Sequence, residues 1–201
     1  MFNLIRRDVI LQKRLLLTFI PFVALFIITD KHPAFIFLVA SIFIPFNAFA
    51  YDQKAETNIL LNSLPYTRKE IIVSRYLGAF LYMVLAVGVT SLALFISNKP
   101  FTMTDMAIGS GLFLLFAAFT FPLFYIFKSG YIMHVVLISF ILLAGIGHPI
   151  VMFLGEHLPA IIDFIYSLST PVLYTGAAAV TLAFYAVSWG ITTIIYQRKA
   201  F

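Results

Sequence analysis

Six long apolar stretches, nearly free of charge, dominate this chain: 15–29, 32–51, 71–97, 106–127, 131–154 and 171–196. A helix that crosses a bilayer needs about 20 apolar residues, with a range of roughly 17–25. Lipid offers the backbone no hydrogen-bond partner, so stretches of this kind become helices that satisfy their own amides and carbonyls. Composition agrees. Of 201 residues, 62% are hydrophobic and only 10% charged, against about 25% charged in an ordinary soluble domain. Mean hydropathy is +1.04. The expected fold is one all-α membrane domain over 1–201, with six transmembrane helices. The first stretch is short, so Lys13, Arg14 and Lys31 must snorkel, and Pro21 should kink it.

The lysines and arginines orient these spans. With the N-terminus inside, eleven of the thirteen fall on the cytoplasmic side, among them Arg6, Arg7, Lys54, Arg68 and Lys69. Only Lys31 and Lys99 fall outside. That asymmetry satisfies the positive-inside rule and places both ends in the cytoplasm. Arg75 is expected in the cytoplasmic interface, at the start of span three. The N-terminus resembles a signal peptide in charge and hydropathy. It lacks a small-residue cleavage site and is read as retained.

Two segments outside the spans are amphipathic. Residues 2–14 collect Phe2, Ile5 and Val9 on one side and the basic residues elsewhere, as an interfacial helix would. Residues 156–171 repeat Leu158, Ile161, Ile162, Ile165 and Leu168 at helical spacing, which predicts a short helix at the outer interface.

Chemistry-bearing motifs are sparse. There is no cysteine, hence no disulfide, thiolate site or cysteine nucleophile. Asp30, Asp105, Glu156 and Asp163 sit at span ends or outside, which disfavours an ion pathway. His134 and His148 in span five are read as packing or interface residues. Gly109-Ser110-Gly111 resembles part of an intramembrane protease signature, but Ile108 stands where that signature needs glycine. It is read as a helix-packing feature. Glu156-His157 lacks the second histidine of a zinc protease. No G-x-x-x-x-G-K-[ST] occurs, so any ATP that drives this chain is expected, with its magnesium, in another polypeptide; the chain itself is expected to hold no cofactor or metal and to be no enzyme. Hydroxyls at Thr90, Ser91, Thr120, Ser139, Thr181, Ser188, Thr192 and Thr193 are read as helix–helix hydrogen bonds, and the 23 phenylalanines as lipid-facing. A lateral cavity for amphipathic molecules is the sharper alternative. Ala179 and Ala183 offer a small-xxx-small pair.

The exception to this plainness is the segment between spans two and three, which reads "LLNSLPYTRKEIIVSRYL" from Leu60 to Leu77. Thr67-Arg68-Lys69-Glu70 fits a capping box, so span three should begin as a defined helix. Pro65 disfavours helix at Leu64. Upstream, Asp52 and Glu56 share a helical face beside Lys54. The pattern predicts a short cytoplasmic helix, a proline turn and then span three. Ordered connections this long tend to be functional.

Residues 51–77 resemble the first cytoplasmic loop of ABC-2 type transporter permeases, particularly small bacterial permeases related to the phenol-soluble modulin exporter. The matching elements are Asp52, Ser63-Leu64-Pro65, Thr67-Arg68-Lys69-Glu70-Ile71 and Ser74-Arg75-Tyr76-Leu77. The resemblance implies a coupling helix seated in a groove of a separate ABC ATP-binding subunit. It implies two permease chains, as homo- or heterodimer, with two ATPases. Asp52, Lys54, Glu56, Asn58, Arg68 and Lys69 would be the contacts, while Pro65, Thr67 and Glu70 set the shape of the loop. The implied function is export of hydrophobic or amphipathic substrates, peptides first, from a bacterial cytoplasmic membrane, with no nucleic acid involved. The other readings are a non-transport immunity or scaffold protein of the membrane, and a secondary transporter.

Overall fold

The computed structural model describes residues 13–54, 67–127 and 131–198. Seven helices account for nearly all of them: α1 Lys13–Ile28, α2 Pro33–Lys54, α3 Arg68–Ile96, α4 Met103–Ile126, α5 Ile132–His157, α6 Pro159–Ser167 and α7 Thr170–Arg198. The fold is all-α and that of a membrane protein. Helices α2, α3, α4 and α7 are each long and apolar enough to cross a bilayer, and α1 and α5 contribute shorter apolar stretches, Leu17–Ile28 and His134–Leu143. A short helix, as expected within 156–171, is present as α6. The interfacial helix expected at 2–14 and the short helix expected before Pro65 lie outside the described residues.

Local chemistry explains where the helices stop and start. Both α1 and α3 end in a Schellman turn. Asp30 and Asn98 take the left-handed conformation, at φ 55° and 53°. The Lys31 amide then reaches the Phe26 carbonyl and the Asp30 amide the Ile27 carbonyl; Lys99 and Asn98 repeat this with Leu94 and Phe95. Asp and Asn are the non-glycine residues that tolerate this conformation best. The next helices are capped in turn. The His32 Nδ1 accepts from the Ala34 amide at 3.3 Å ahead of α2. Thr102 and Asp105 form a complete capping box at the start of α4. This T-x-x-D box departs from the S/T-x-x-E/Q pattern that marks such a start in sequence.

Helix α4 is the hub, packing mainly on α7 and α2, with α3 against α2. Its closeness to α2 depends on Gly109: a Cβ there would stand 2.5 Å from Phe37 Cβ and 2.8 Å from the Ala34 carbonyl oxygen. The packing reading of Gly109-Ser110-Gly111 therefore has a concrete basis. Phenylalanines divide in two. Phe46 and Phe49 of α2 interleave with Phe121 and Phe124 of α4 inside the bundle, whereas Phe95, Phe153 and Phe184 are exposed. The expectation of lipid-facing phenylalanine fails for the first group, while the second lies open on the helix surfaces. Aromatic pairs prefer tilted and edge-on geometries, and rings on two apposed helices can supply them.

Candidate functional site

The site begins at the polar elbow that precedes α3. Thr67 is extended, at φ −72° and ψ 149°, and caps the helix. Its Oγ1 accepts from the Glu70 amide at 3.2 Å, and Glu70 Oε2 accepts from the Thr67 amide at 2.8 Å and hydroxyl at 2.9 Å. The backbone and then the side-chain hydrogen bonds from Thr67 hold the Glu70 carboxyl below the usual carboxylate range. Two of the four amides a helix leaves unpaired are thus engaged. Helix α3 has 29 residues, or about 43 Å at 1.5 Å per residue. A hydrocarbon core is about 30 Å thick. The surplus lets the polar first turns stand clear of the lipid, ahead of the apolar stretch that begins at Ile71.

Arg68 and Lys69 are adjacent but do different things. Arg68 Nη1 donates to the Gln197 carbonyl at 2.8 Å, across 129 residues of sequence. It satisfies a carbonyl in the last turn of α7, where a cation also suits the helix dipole. Lys69 is exposed. Asp52 and Lys54 lie in the last turn of α2, which continues as helix beyond the expected end of span two. Glu56, Asn58 and Pro65 lie outside the described residues. Of the predicted elbow residues, the described region brings together Thr67, Arg68, Lys69 and Glu70 on the first turn of α3.

Two turns deeper, a buried polar chain joins three helices. The Tyr76 hydroxyl lies 2.8 Å from Ser188 Oγ and 2.7 Å from Thr192 Oγ1. Ser188 donates to the Ala118 carbonyl at 2.6 Å. A hydroxyl has one hydrogen. With that of Ser188 committed to Ala118, Tyr76 must donate to Ser188, and Thr192 to Tyr76. The chain therefore runs Thr192, Tyr76, Ser188, Ala118, from α7 through α3 and back to α7, ending on α4. Tyr185 adds a bond from its hydroxyl to the Tyr76 carbonyl at 2.9 Å. Sequence reasoning flagged Ser188 and Thr192 as helix–helix donors. It passed over the partner, Tyr76, although that residue sits in the elbow motif. Arg75 beside it is buried, with its guanidinium carbon 5.5 Å from the centroid of Phe49 on α2. Arg75, expected in the cytoplasmic interface, is thus packed against a neighbouring helix.

At the opposite end of the bundle, Thr104 Oγ1 and the Tyr174 hydroxyl are 3.1 Å apart, so α4 and α7 are joined there too. The first turn of α3 is therefore continuous, through Arg68 and Tyr76, with a body made of α3, α4 and α7. The sequence model of ABC-2 family transporter proteins matches residues 3–197. The chain belongs to that family. No curated protein and no solved structure shows a significant match to it.

As an ABC-2 family protein the chain is the permease component of an ABC transporter, an integral membrane protein that works with an ABC ATP-binding partner. The expected helix–helix hydrogen bonds are not what most of the remaining hydroxyls make, and Thr90 and Ser139 are buried with no hydrogen-bond partner among the described residues. Ser91, Thr120 and Thr193 each donate to the carbonyl four residues earlier in their own helix. His134 is exposed, its ring centroid 6.0 Å from that of Tyr131, and the side chain of His148 is not described. His157 stacks on Phe153 at 4.2 Å and donates from Nδ1 to its carbonyl. Ala179 and Ala183 are exposed along α7.

Proposed function

We propose that this permease is the membrane half of an ATP-driven exporter, and that its 52–70 elbow is the coupling helix on which the ATP-binding subunit acts. The observation that carries this reading is the rigid start of α3: a full capping box, tied by Arg68 to α7 and by Tyr76 to α4 and α7. A lever must be stiff to transmit displacement, and this one is anchored at its tip and two turns in.

In this reading two permease chains and two ATP-binding subunits form the working unit, with ATP and magnesium held by the latter. Six spans cross a bacterial cytoplasmic membrane with both termini inside. Asp52, Lys54, Glu56, Asn58, Arg68 and Lys69 face the ATPase. Closure of the ATPase pair pushes the elbows, and α3 carries the movement into the membrane. The substrates are hydrophobic or amphipathic, with peptides favoured by the elbow's likeness to modulin exporters.

Co-expression with an ABC ATP-binding subunit tests the reading. Wild type should co-purify with it and raise its ATPase rate. Lys69→Glu is the cleaner probe, because Arg68→Glu also removes the bond to Gln197. Lys69→Glu should insert normally yet lose assembly or stimulation. Normal assembly and transport in that variant would remove Lys69 from the contact, and failure of any ATPase to associate would end the proposal.

A further inference from the structure

His32 is the N-cap of α2, at the end of the bundle away from the elbow, and its Nδ1 has two neighbours. Pro33 follows as the first helical residue and has no amide to offer. The next amide, that of Ala34, donates to His32 Nδ1 at 3.3 Å. Asp105 Oδ1, at the start of α4, lies 3.8 Å from the same nitrogen. One ring nitrogen cannot serve both. An amide needs the lone pair of an unprotonated Nδ1, whereas a carboxylate can only accept. With a neutral ring, its hydrogen on Nε2, His32 caps α2. With a proton on Nδ1 as well, the Ala34 amide loses its acceptor and Asp105 gains a charged donor.

The surroundings suit this exchange. Asp105 divides its oxygens: Oδ2 accepts from the Thr102 amide at 2.8 Å and hydroxyl at 2.7 Å, and Oδ1 is the one toward His32. Those bonds from Thr102, and further the charge of a protonated His32, hold the Asp105 carboxyl below the usual carboxylate range, so it stays ionised wherever a histidine titrates. Its side chain is only 13% exposed, so water screens the pair less than one on the open surface. The other charges beside His32 are Asp30 and Lys31 of the same turn and Lys99 of the α3–α4 turn. Asp30 and Lys99 pair with each other. None of these side-chain types changes charge between pH 5 and 8, as histidine does. The packing of α4 on α2 sets the alignment. Asp105 stands one turn before Gly109, whose absent side chain admits the Ala34 carbonyl of the first turn of α2. We propose that His32 is a proton switch at this α2–α4 joint: deprotonated it caps α2, and protonated it releases that cap and ties the α1–α2 turn to α4 through Asp105. Neither residue belongs to the elbow, so the switch stands whether or not an ATP-binding subunit docks there.

Nuclear magnetic resonance of the full chain in nanodiscs, with the histidine ring nitrogens isotopically labelled, tests it. The chain has four histidines, and the signals lost in His32→Asn identify this one. At pH 8 the ring should carry its hydrogen on Nε2 with Nδ1 bare. At pH 5 an Nδ1–H signal should appear in wild type, shielded from exchange with water by Asp105. It should be absent in Asp105→Asn, whose side-chain oxygen still accepts from Thr102 but carries no charge. Exchange of the Ala34 amide, corrected for intrinsic rate, should rise about fivefold from pH 8 to pH 5, the worth of one N-cap bond. In His32→Asn the side-chain oxygen accepts at either pH, so Ala34 should be equally protected at both. Unchanged Ala34 exchange in wild type, or a proton on Nδ1 at pH 8, would overturn the switch. An Nδ1–H signal that survives in Asp105→Asn would overturn the tie to α4.

Discussion

Replacing Tyr76 by phenylalanine removes one oxygen from the centre of the buried chain and leaves the ring in place. The ring keeps its edge-on contact with Phe121 at 5.1 Å and its tilted contact with Tyr185 at 5.0 Å, so no large cavity forms. Two interhelical hydrogen bonds end on the lost hydroxyl, those to Ser188 and Thr192. Interhelical hydrogen bonds in membrane proteins average about 0.6 kcal/mol and reach about 1.7. Their loss would therefore cost about 1–3 kcal/mol. Ser188 still donates to Ala118. The orphaned Thr192 hydroxyl can turn to the carbonyl four residues earlier, as threonines in helices do. That moves the expectation to the lower part of the range, about 1–2 kcal/mol. The measurement is reversible unfolding in mixed micelles, run as a double-mutant cycle with Thr192→Val. Residues in one hydrogen-bond network should couple by about 0.5–1 kcal/mol. In the assembled transporter, Tyr76→Phe should also lower ATPase stimulation, because the joint between α3 and α7 is loosened. A stability within about 0.3 kcal/mol of wild type, with the two substitutions additive, would refute the directed chain.

Thr67→Ala removes the hydroxyl that accepts from the Glu70 amide and donates to its carboxylate, while the residue 67 amide can still donate to Glu70, and should cost about 1 kcal/mol of local stability; amide exchange at Glu70 should accelerate without change at the centre of α3. Glu70 and Asp105 are both held below the ordinary carboxylate range by their capping threonines, so their stabilisation is full above the unfolded-state values and is lost as pH falls through the lower folded values. Exchange of the Thr67 and Thr102 amides should therefore be flat from pH 7 to pH 5, after correction for intrinsic rate, and rise only in stronger acid. Gly109→Val should cost about 1–3 kcal/mol through overpacking of α4 on α2, read as a lower unfolding midpoint, whereas Gly111→Val, where a Cβ meets nothing within 4 Å, should be tolerated. Asn98→Gly should hold or raise stability and Asn98→Val lower it by about 1–2 kcal/mol, because only the first accepts the left-handed turn.

The elbow illustrates how far a linear reading reaches. Thr67 and Glu70 are three residues apart, so the capping box is a local arrangement and was legible as a motif. Arg68 looked like one more basic contact residue. Its bond to Gln197 could not be read, because nothing local in either segment brings the ends of α3 and α7 together. Tyr76 was passed over for the same reason: a tyrosine in an apolar helix has no signature until its partners 112 and 116 residues away are in place. The Schellman turns at Asp30 and Asn98 carry no glycine, and their positive φ is visible only in the backbone.

The sequence by itself determined that this is a helical membrane protein, where its helices lie, and how α3 starts. Those properties follow from local rules: an apolar stretch in lipid must close its own hydrogen bonds, and a capped turn needs only four residues. Tertiary structure alone decided which faces meet. Helices that are apolar on every side mark no buried stripe, so the closeness of α4 and α2 at Gly109, the interleaved phenylalanines and the Tyr76 chain arise from contacts between distant segments. Lipid is as apolar as leucine, and complementary shape and paired polar groups, not hydrophobicity, select those contacts.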